Sequence, residues 1–351
     1  MNEPEIAEHV ANVGPHPLII THAHCADGWC AWMLARRRWP DAEVLECVYG
    51  DEVGRDEEPN VFTFWEHSAS GKSAQKEWFD FAGRDVIVLD FSFPREVLQS
   101  MRGQARSLLV LDHHKTAKTD LDGLDYCVFD VERSGAGLAL DVFFPGHRTK
   151  EHAWATLIPR GGGVDGQEDW HWSYLARLVE DRDLWRFKLD GSKEINAALG
   201  ILPRTIEAWE GIMRIANLED EGRAMLKMQA ALVERIADHA REVEWFAGVE
   251  AVTCNASCLQ SEVGEFLYGK HPERVICVWY RHEDGQIAGS LRSSPTGPDV
   301  SLIAKRFDGG GHAHAAGFRC DDEREIVEGR SLRDPRTKPG VPSFPMPRVS
   351  G

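Results

Sequence analysis

The chain has 351 residues and a formal net charge of −17, because 57 acidic residues outnumber 40 basic ones. Apolar residues make up 42% of the sequence, which is enough to build the cores of two domains. The excess of acid argues against extended binding to duplex DNA, in which lysine and arginine neutralise many phosphates, and favours a small anion that is captured locally.

The composition also bears on the compartment. The N-terminus does not resemble a signal peptide, and no apolar run has the length of a membrane span. Eight cysteines are spread over the chain, and four of them lie in apolar segments: Cys30, Cys47, Cys127 and Cys277. We therefore expect a cytoplasmic protein with reduced thiols and no membrane partner.

Strand and helix patterns alternate in the N-terminal part of the chain. The strand patterns are PLIIT, AEVLECV, DVIVLDF, SLLVLDHH and YCVFD, and the helix patterns between them include WCAWMLARR and PREVLQSM. This alternation is typical of an α/β domain with a mostly parallel sheet and helices on both faces. The acidic and aromatic region 51–84 interrupts it, and we expect an insertion or an extended loop-helix crossover there.

The C-terminal part begins with a helical pattern over 205–245 and continues with the strand patterns VEAVTC, RVICVWY and QIAGSLR. These strands predict a second, smaller α/β domain. The predicted organisation is a first domain over 14–205, a helical linker over 206–246, a second domain over 247–328 and a proline-rich tail over 331–351.

Acidic and imidazole side chains follow several of the strand patterns. The run SLLVL leads directly into Asp112, His113 and His114. Other apolar runs lie beside His22 and Asp27, Asp90, and Asp181. Because strand ends converge on one crevice in open parallel sheets, we expect these side chains to meet.

Carboxylates and imidazoles are suitable ligands for Mn²⁺ or Mg²⁺ and, less selectively, for Fe²⁺, Co²⁺ or Zn²⁺. The number of ligands is sufficient for two ions, and paired ions are the usual device for hydrolysing phosphate esters. Each acid taken alone is more simply a helix cap. The four acids together with the DHH sequence favour the metal interpretation.

Two motifs carry a family resemblance. LDHHK at 111–115 is similar to the signature of the DHH phosphoesterase superfamily, and SLRSS at 290–294 with GGGHAHAAGF at 309–318 resembles the C-terminal DHH-associated domain. The resemblance covers most of residues 17–320. It implies a parallel-sheet DHH domain and a smaller α/β DHH-associated domain across a cleft, as in nanoRNases, cyclic-dinucleotide phosphodiesterases and single-strand exonucleases.

The resemblance also implies roles for individual residues. The implied metal ligands are His22, Cys25, Asp27, Asp90, His113 and Asp181, with Asp183 as a substitute for Asp181. The implied catalytic residues are Asp90, Asp112 and His114. Asp90 resembles the aspartate that bridges both ions, whereas Asp112 and His114 would orient ligands, water or the substrate phosphate.

The first motif departs from the family pattern. In HAHCAD, Cys25 stands where most relatives have an aspartate, and the spacing after His22 is shorter by one residue. A metal-bound thiol can ionise and coordinate. Whether Cys25 or His24 binds metal stays open, and Cys25 can instead pack as a small apolar residue.

A second group of residues suits an anion. Gly309, Gly310 and Gly311 precede His312 in a pattern that predicts a loop entering a short helix, where backbone N–H groups can face a phosphate. Arg292, on a predicted strand, can grip the same phosphate through two parallel hydrogen bonds. The resemblance assigns substrate binding to these five residues.

The predicted function is a metal-dependent phosphodiesterase acting on short oligonucleotides or linear or cyclic dinucleotides. Its cofactors would be two divalent ions, with Mn²⁺ preferred and Mg²⁺, Co²⁺ or Fe²⁺ as alternatives. Two other hypotheses remain open: a phosphatase or phosphoanhydride hydrolase on a small nucleotide, and a non-catalytic nucleotide-binding regulator. We expect no duplex DNA partner, and a homodimer stays open.

Overall fold

In a computed structural model, the chain divides into two units that do not share a sheet. The structure describes residues 2–23, 25–47, 53–55, 61–67, 73–147, 168–212, 218–245, 249–282, 285–307 and 309–327. Unit 1 runs to Met228 and unit 2 begins at Gln229. The proline-rich tail predicted for 331–351 lies outside the described residues, and the domain limits given above stay predictions.

The described residues of unit 1 include eight strands. They are β1 Leu18–His22, β2 Glu43–Cys47, β3 Val53–Arg55, β4 Val61–His67, β5 Ser73–Asp80, β6 Asp85–Leu89, β7 Ser107–Asp112 and β8 Cys127–Phe129. Five of them form a parallel sheet in the order β2-β1-β6-β7-β8. The other three form the antiparallel sheet β3-β4-β5, so the described residues of 51–84 agree with the insertion and not with its alternative, a loop-helix crossover.

Helices cover both faces of the parallel sheet. The described helices that begin in unit 1 are α1 Glu3–Asn12, α2 Ala26–Arg38, α3 Arg95–Gln104, α4 Lys115–Asp120, α5 Gly135–Phe143, α6 Glu168–Asp183, α7 Ser192–Leu199, α8 Ile206–Ile212 and α9 Leu218–Ala237, the last of which continues into unit 2. Successive strand residues point to opposite faces. Ile19, Ile87 and Leu109 pack with α2, α5 and α6, whereas Leu18, Val86 and Leu108 pack with α3. The predicted α/β class is confirmed.

The strand order fixes where a site can form. From β1 the chain first adds β2 on one side and later adds β6, β7 and β8 on the other side. The order therefore reverses between β1 and β6. In open α/β sheets the crevice at the carboxyl ends of such a pair is the usual ligand site.

Unit 2 contains a mixed sheet. Its elements are β9 Arg241–Trp245, β10 Val249–Asn255, α10 Gln260–Lys270, β11 Val275–Arg281, β12 Ile287–Arg292, α11 Ser301–Ala304, β13 Gly310–His312, β14 Ala315–Cys320 and α12 Glu323–Val327. The strand order is β13-β14-β12-β11-β10-β9, and only β10 and β11 pair in parallel. The helical pattern over 205–245 thus ends in a strand, because Arg241–Trp245 pairs with β10.

The glycine run of unit 2 does not lead into a helix. Gly310–His312 is strand β13, and a tight turn joins it to β14. Pairing between the strands overrides the helical preference of the alanines that follow His312. The helix N-terminus predicted there as part of an anion site is therefore wrong.

No helix in the part of the chain that the structure describes is both long enough and apolar enough to cross a bilayer.

A close backbone contact joins β1 to α2. The hydroxyl of Thr21 donates to the carbonyl oxygen of Gly28 at 2.7 Å. A Cβ atom at position 28 would lie 2.3 Å from the carbonyl oxygen of His22. Only glycine allows this approach, which carries the first turn of α2 to the end of β1.

We expect Gly28→Ala to lower the free energy of unfolding by about 1–3 kcal/mol, because the added carbon forces two backbone segments apart. Urea unfolding of the full chain measures the change. The matched control is Gly103→Ala in α3, where a Cβ meets no atom within 4 Å. Because alanine favours a helix over glycine by up to about 1 kcal/mol, the control should be neutral or stabilising. Equal losses in both variants would contradict the steric argument.

Candidate metal centre

The candidate site lies where the parallel strands of unit 1 end. His22 is the last residue of β1, Asp90 directly follows β6, and Asp112 is the last residue of β7, with His113 next to it. The three strands are direct neighbours, so these side chains emerge at one edge of the sheet. The edge is the one that the reversal of strand order predicts.

The first ligand group consists of His22, Cys25 and Asp90. The thiol Sγ of Cys25 lies 3.5 Å from His22 Nδ1 and 3.3 Å from Asp90 Oδ2. His22 Nδ1 lies 3.6 Å from the same Asp90 oxygen. One nitrogen, one sulfur and one oxygen therefore meet within 4.8 Å of one another.

The second ligand group consists of Asp27, His113 and Asp183. His113 Nε2 lies 3.8 Å from Asp27 Oδ2 and 3.6 Å from Asp183 Oδ2. The same nitrogen lies 3.0 Å from Asp90 Oδ1. The two oxygens of Asp90 thus face different ligand groups, which is the arrangement that a bridging carboxylate needs.

The structure reverses the sequence preference for Asp181. Both oxygens of its buried carboxylate accept hydrogen bonds, from the N–H groups of Lys188 at 2.9 Å and Leu189 at 3.1 Å. The segment that follows is strained, since Trp185 and Phe187 have φ values of 54° and 49°. Asp181 therefore holds the loop after α6, whereas Asp183 joins His113 in the cluster.

We expect Asp183→Asn to weaken Mn²⁺ binding, because a ligand loses its charge, while Asp181→Asn leaves binding intact and lowers stability. Losing the charged acceptor of two backbone N–H groups should cost about 1.5–3 kcal/mol. Equilibrium dialysis with Mn²⁺ and urea unfolding measure the two effects. If only Asp181→Asn weakens Mn²⁺ binding, then Asp181 is the ligand, as the sequence predicts, and Asp183 is not.

Asp27 is fixed by the start of α5. Its Oδ1 accepts from the Ser134 hydroxyl at 2.7 Å and from Ala136 N–H at 3.0 Å, and its Oδ2 accepts from Gly135 N–H at 2.6 Å. A Cβ at position 135 would lie 2.3 Å from Cβ of Asp90. The missing side chain of Gly135 therefore lets both aspartates share this corner.

An ion-pair network supports the same loop. Arg133 bonds Asp141 and donates from Nε to Glu180 Oε2 at 2.8 Å. The backbone N–H of Ser134 donates to that glutamate oxygen at 3.2 Å. Ser134 also caps α5 by accepting from Gly137 N–H at 3.1 Å. Ser134 thus joins the helix start to a metal ligand.

We expect Ser134→Ala to lower Mn²⁺ affinity by about 10–100-fold, since loss of a group that orients a ligand has effects of this size. The variant also loses a helix cap, which costs about 1 kcal/mol of stability. Asn2→Ala, which removes the cap of α1, is the control for that loss and should leave Mn²⁺ affinity unchanged. Ser134→Thr, which keeps the hydroxyl, should restore binding. Unchanged affinity in Ser134→Ala would contradict the positioning role.

Asp112 acts on its neighbours from a fully buried position. Its Oδ2 accepts from the Ser92 hydroxyl at 2.6 Å, and its Oδ1 accepts from His113 N–H and lies 2.7 Å from His114 Nδ1. Burial alone would raise the pKa of Asp112, but the charge and hydrogen bond of His114 outweigh it and lower the pKa to about 2. Asp112 therefore orients the two histidines as an anion.

The electrostatics of the cluster fit a divalent cation. Burial, followed by repulsion from Asp90 and Asp183, raises the pKa of Asp27 well above its usual range. Burial also opposes the charge on Asp90, but hydrogen bonds from His113 and His22 hold its pKa well below normal. The donor set contains only carboxylate, imidazole and thiol groups, and a cation among them would relieve the repulsion.

In unit 2, Arg292 and His312 occupy one row of the sheet. Arg292 at the end of β12 and His312 at the end of β13 both pair with Ala315 of the intervening strand β14. Residues directly opposite one another share a face, so the two side chains flank one alanine, about 10 Å apart across two strand spacings. Arg292 also donates to the Ser261 hydroxyl at 2.7 Å.

The structure brings together five of the six predicted metal ligands, with Asp183 in place of Asp181. His24, the alternative to Cys25, lies outside the described residues. Sequence reasoning did not find the bond of Ser134 to Asp27. The signal was a serine with glycines at 135 and 137, five residues after the end of β8, since residues without bulky side chains let a helix start approach a sheet edge closely.

Fold and site together define an α/β protein in which a parallel-sheet unit carries a buried Asp–His cluster suited to divalent metal, followed by a unit with a mixed sheet. Residues 254–331 match the DHHA1 domain family. This match confirms the predicted C-terminal DHH-associated domain, and the DHH sequence at the end of β7 agrees with the resemblance to the DHH superfamily.

The chain is also similar to proteins over most of its length. It is 26% identical over 312 residues to "Uncharacterized protein R106" of Acanthamoeba polyphaga mimivirus, covering 86% of this chain but only 66% of the relative. Similar solved structures include a pGpG-specific phosphodiesterase from Vibrio cholerae, with 13% identity, a TM-score of 0.36 and coverage of 88% of this chain and 95% of that one. An exopolyphosphatase-related protein from Bacteroides fragilis has 12% identity, a TM-score of 0.48 and coverage of 93% and 92%. Similarities this distant do not define an activity.

Proposed function

We propose that the chain is a metal-dependent phosphodiesterase that hydrolyses short oligonucleotides or dinucleotides at a pair of divalent ions. The observation that carries the proposal is the position of Asp90. Its Oδ2 faces His22 and Cys25 at 3.6 and 3.3 Å, and its Oδ1 faces His113 at 3.0 Å. One carboxylate between two ligand groups is the expected feature of a site for paired metal ions.

The residues of unit 1 are proposed to have separate roles in binding the two ions and the phosphate. His22, Cys25 and Asp90 would hold one ion, and Asp27, His113 and Asp183, with the second oxygen of Asp90, would hold the other. When bound, the ions supply a nucleophilic hydroxide at neutral pH and neutralise charge on the phosphate oxygens. Asp112 fixes His114, which is partly exposed beside the cluster and can donate a hydrogen bond to a phosphate oxygen or the leaving group.

His114 is suited to this role by its charge. Burial opposes protonation, but the charge and hydrogen bond of Asp112 raise its pKa above the usual value. A protonated imidazole held in one orientation is a good donor to an oxygen that gains negative charge. Asp112 and His114 are thus proposed to act in catalysis, as the sequence predicts.

The substrate class follows from charge. With a net charge of −17, the chain does not suit long nucleic acids, whose binding draws on many cations. A short substrate needs only local capture of its phosphates. In unit 2, the row of Arg292 and His312 offers a guanidinium and an imidazole on either side of a small residue, and both groups bind phosphate. Gly309, Gly310 and Gly311 are proposed to line this surface as the backbone that leads into and begins β13.

We expect Asp90→Asn to abolish hydrolysis of the linear dinucleotide pGpG in the presence of Mn²⁺. The loss should exceed about 100-fold, because removal of a group that merely supports a ligand already costs about 10–100-fold. Chromatography of the nucleotide products measures the rate. The control is Asp41→Asn, an exposed aspartate of the same unit, which should keep full activity.

The same assay separates the other hypotheses. Phosphate release without shortening of the oligonucleotide would replace the proposal with a phosphatase or phosphoanhydride hydrolase. If the protein binds nucleotide but does not hydrolyse pGpG, cyclic dinucleotides or short RNA with any of the divalent ions tested, it is a nucleotide-binding protein and not an enzyme. Activity that survives in Asp90→Asn would place the chemistry elsewhere.

A further inference from the structure

The two ligand groups of unit 1 differ in their donor atoms. The first offers one imidazole nitrogen, one thiol sulfur and one carboxylate oxygen, from His22, Cys25 and Asp90. The second offers one imidazole nitrogen and two carboxylate oxygens, from Asp27, His113 and Asp183. Sulfur is a soft ligand and carboxylate oxygen a hard one, so the two positions do not suit the same ions equally.

The spacing of the first group matches a tetrahedral ion. Metal bonds of 2.0–2.3 Å to nitrogen, oxygen and sulfur place neighbouring tetrahedral ligands about 3.3–3.8 Å apart. The three measured separations are 3.5 Å from sulfur to nitrogen, 3.3 Å from sulfur to oxygen and 3.6 Å from nitrogen to oxygen. All three lie inside this range, so these atoms could hold one ion together, with a further ligand supplied by water or substrate.

The sulfur is aimed at this position by the backbone. Cys25 is the N-cap residue of α2, and its Sγ accepts the N–H of Gly28 at 3.1 Å. This contact fixes the side chain so that its thiol points at Asp90 and His22. Cys30, also in α2, shows the alternative: it packs as an apolar residue and is fully buried in the hydrophobic core, whereas Cys25 is only partly buried.

We propose that the metal pair is mixed: the first ligand group takes a borderline, thiophilic ion such as Fe²⁺, Co²⁺ or Zn²⁺, and the second takes Mn²⁺ or Mg²⁺. The inference rests on the proposed function for its two-metal site and narrows the cofactor of that site. Mg²⁺ demands an octahedron of oxygen ligands and gives up its waters reluctantly, so it competes poorly for a position with a sulfur ligand. Borderline ions gain from the same sulfur.

Two substitutions at one position isolate the sulfur. Cys25→Ser and Cys25→Asp both introduce a residue that caps helices well, so the N-terminus of α2 stays capped. Serine removes the ionisable ligand, whereas aspartate replaces sulfur by a hard oxygen. Cys258→Ser, which changes an exposed thiol in unit 2, is the matched control for the loss of a cysteine.

The test uses the metal-free full chain titrated with Co²⁺, which reports thiolate coordination by a charge-transfer absorption in the near ultraviolet. The wild type and Cys258→Ser should show this absorption, and both Cys25 variants should lack it. Dialysis against excess Mg²⁺ should then leave about one equivalent of Co²⁺ on the wild type and none on Cys25→Asp, because only the sulfur position resists a hard ion.

The inference would be overturned by Co²⁺ bound to the wild type without the absorption, by an absorption that persists in Cys25→Ser, or by Mg²⁺ displacing both Co²⁺ equivalents from the wild type. Failure to bind Co²⁺ would also overturn it. Hydrolysis of pGpG in the same samples distinguishes the two proposals. Turnover without thiolate absorption refutes only the mixed pair, whereas thiolate absorption without turnover refutes only the phosphodiesterase.

Discussion

The whole site depends on a contact in which two chain segments meet with no room for another carbon atom. Asp90 follows β6 with a φ of 54°, a conformation in which aspartate is tolerated but uncommon, and its Cβ occupies the space that a side chain at position 135 would need. This contact brings the start of α5 beside the end of β6. The backbone of α5 then reaches Asp27, so both aspartates are held by a single close approach.

That approach concentrates negative charge in a buried place. Asp27 is kept in position by three donors and Asp90 by two histidines. The histidines outweigh the burial of Asp90, whereas the bonds to Asp27 do not offset its burial beside Asp90 and Asp183, so the pKa of Asp27 stays raised. The cluster therefore fits a divalent cation, and the candidate metal site follows from the packing of the sheet and its helices as well as from the presence of suitable side chains. The strand ends bring the side chains to one edge of the sheet, and the start of α5 holds Asp27 in place.

Much of this was accessible from sequence. The runs of valine, isoleucine and leucine predicted all five strands of the parallel sheet, because such strands are buried on both faces, and the acids at their ends predicted the place of the site. The sequence alone could not decide whether Asp181 or Asp183 joins the cluster. Two positions along a helix point in nearly opposite directions, and only the strained turn after α6 decides which one faces the cluster. The hairpin of β13 and β14 was missed because its alanines favour helix locally, whereas pairing with β12 decides the outcome.

The candidate ligands come from positions as far apart as His22 and Asp183, so β1, β6, β7 and α6 must be in place before they can meet. Contacts of such long sequence separation form late, since the chain has to close large loops first. An ion bound at the cluster would therefore not nucleate local structure. It would stabilise a unit that is already folded, because a nascent chain without α6 lacks Asp183 and offers an incomplete set of ligands.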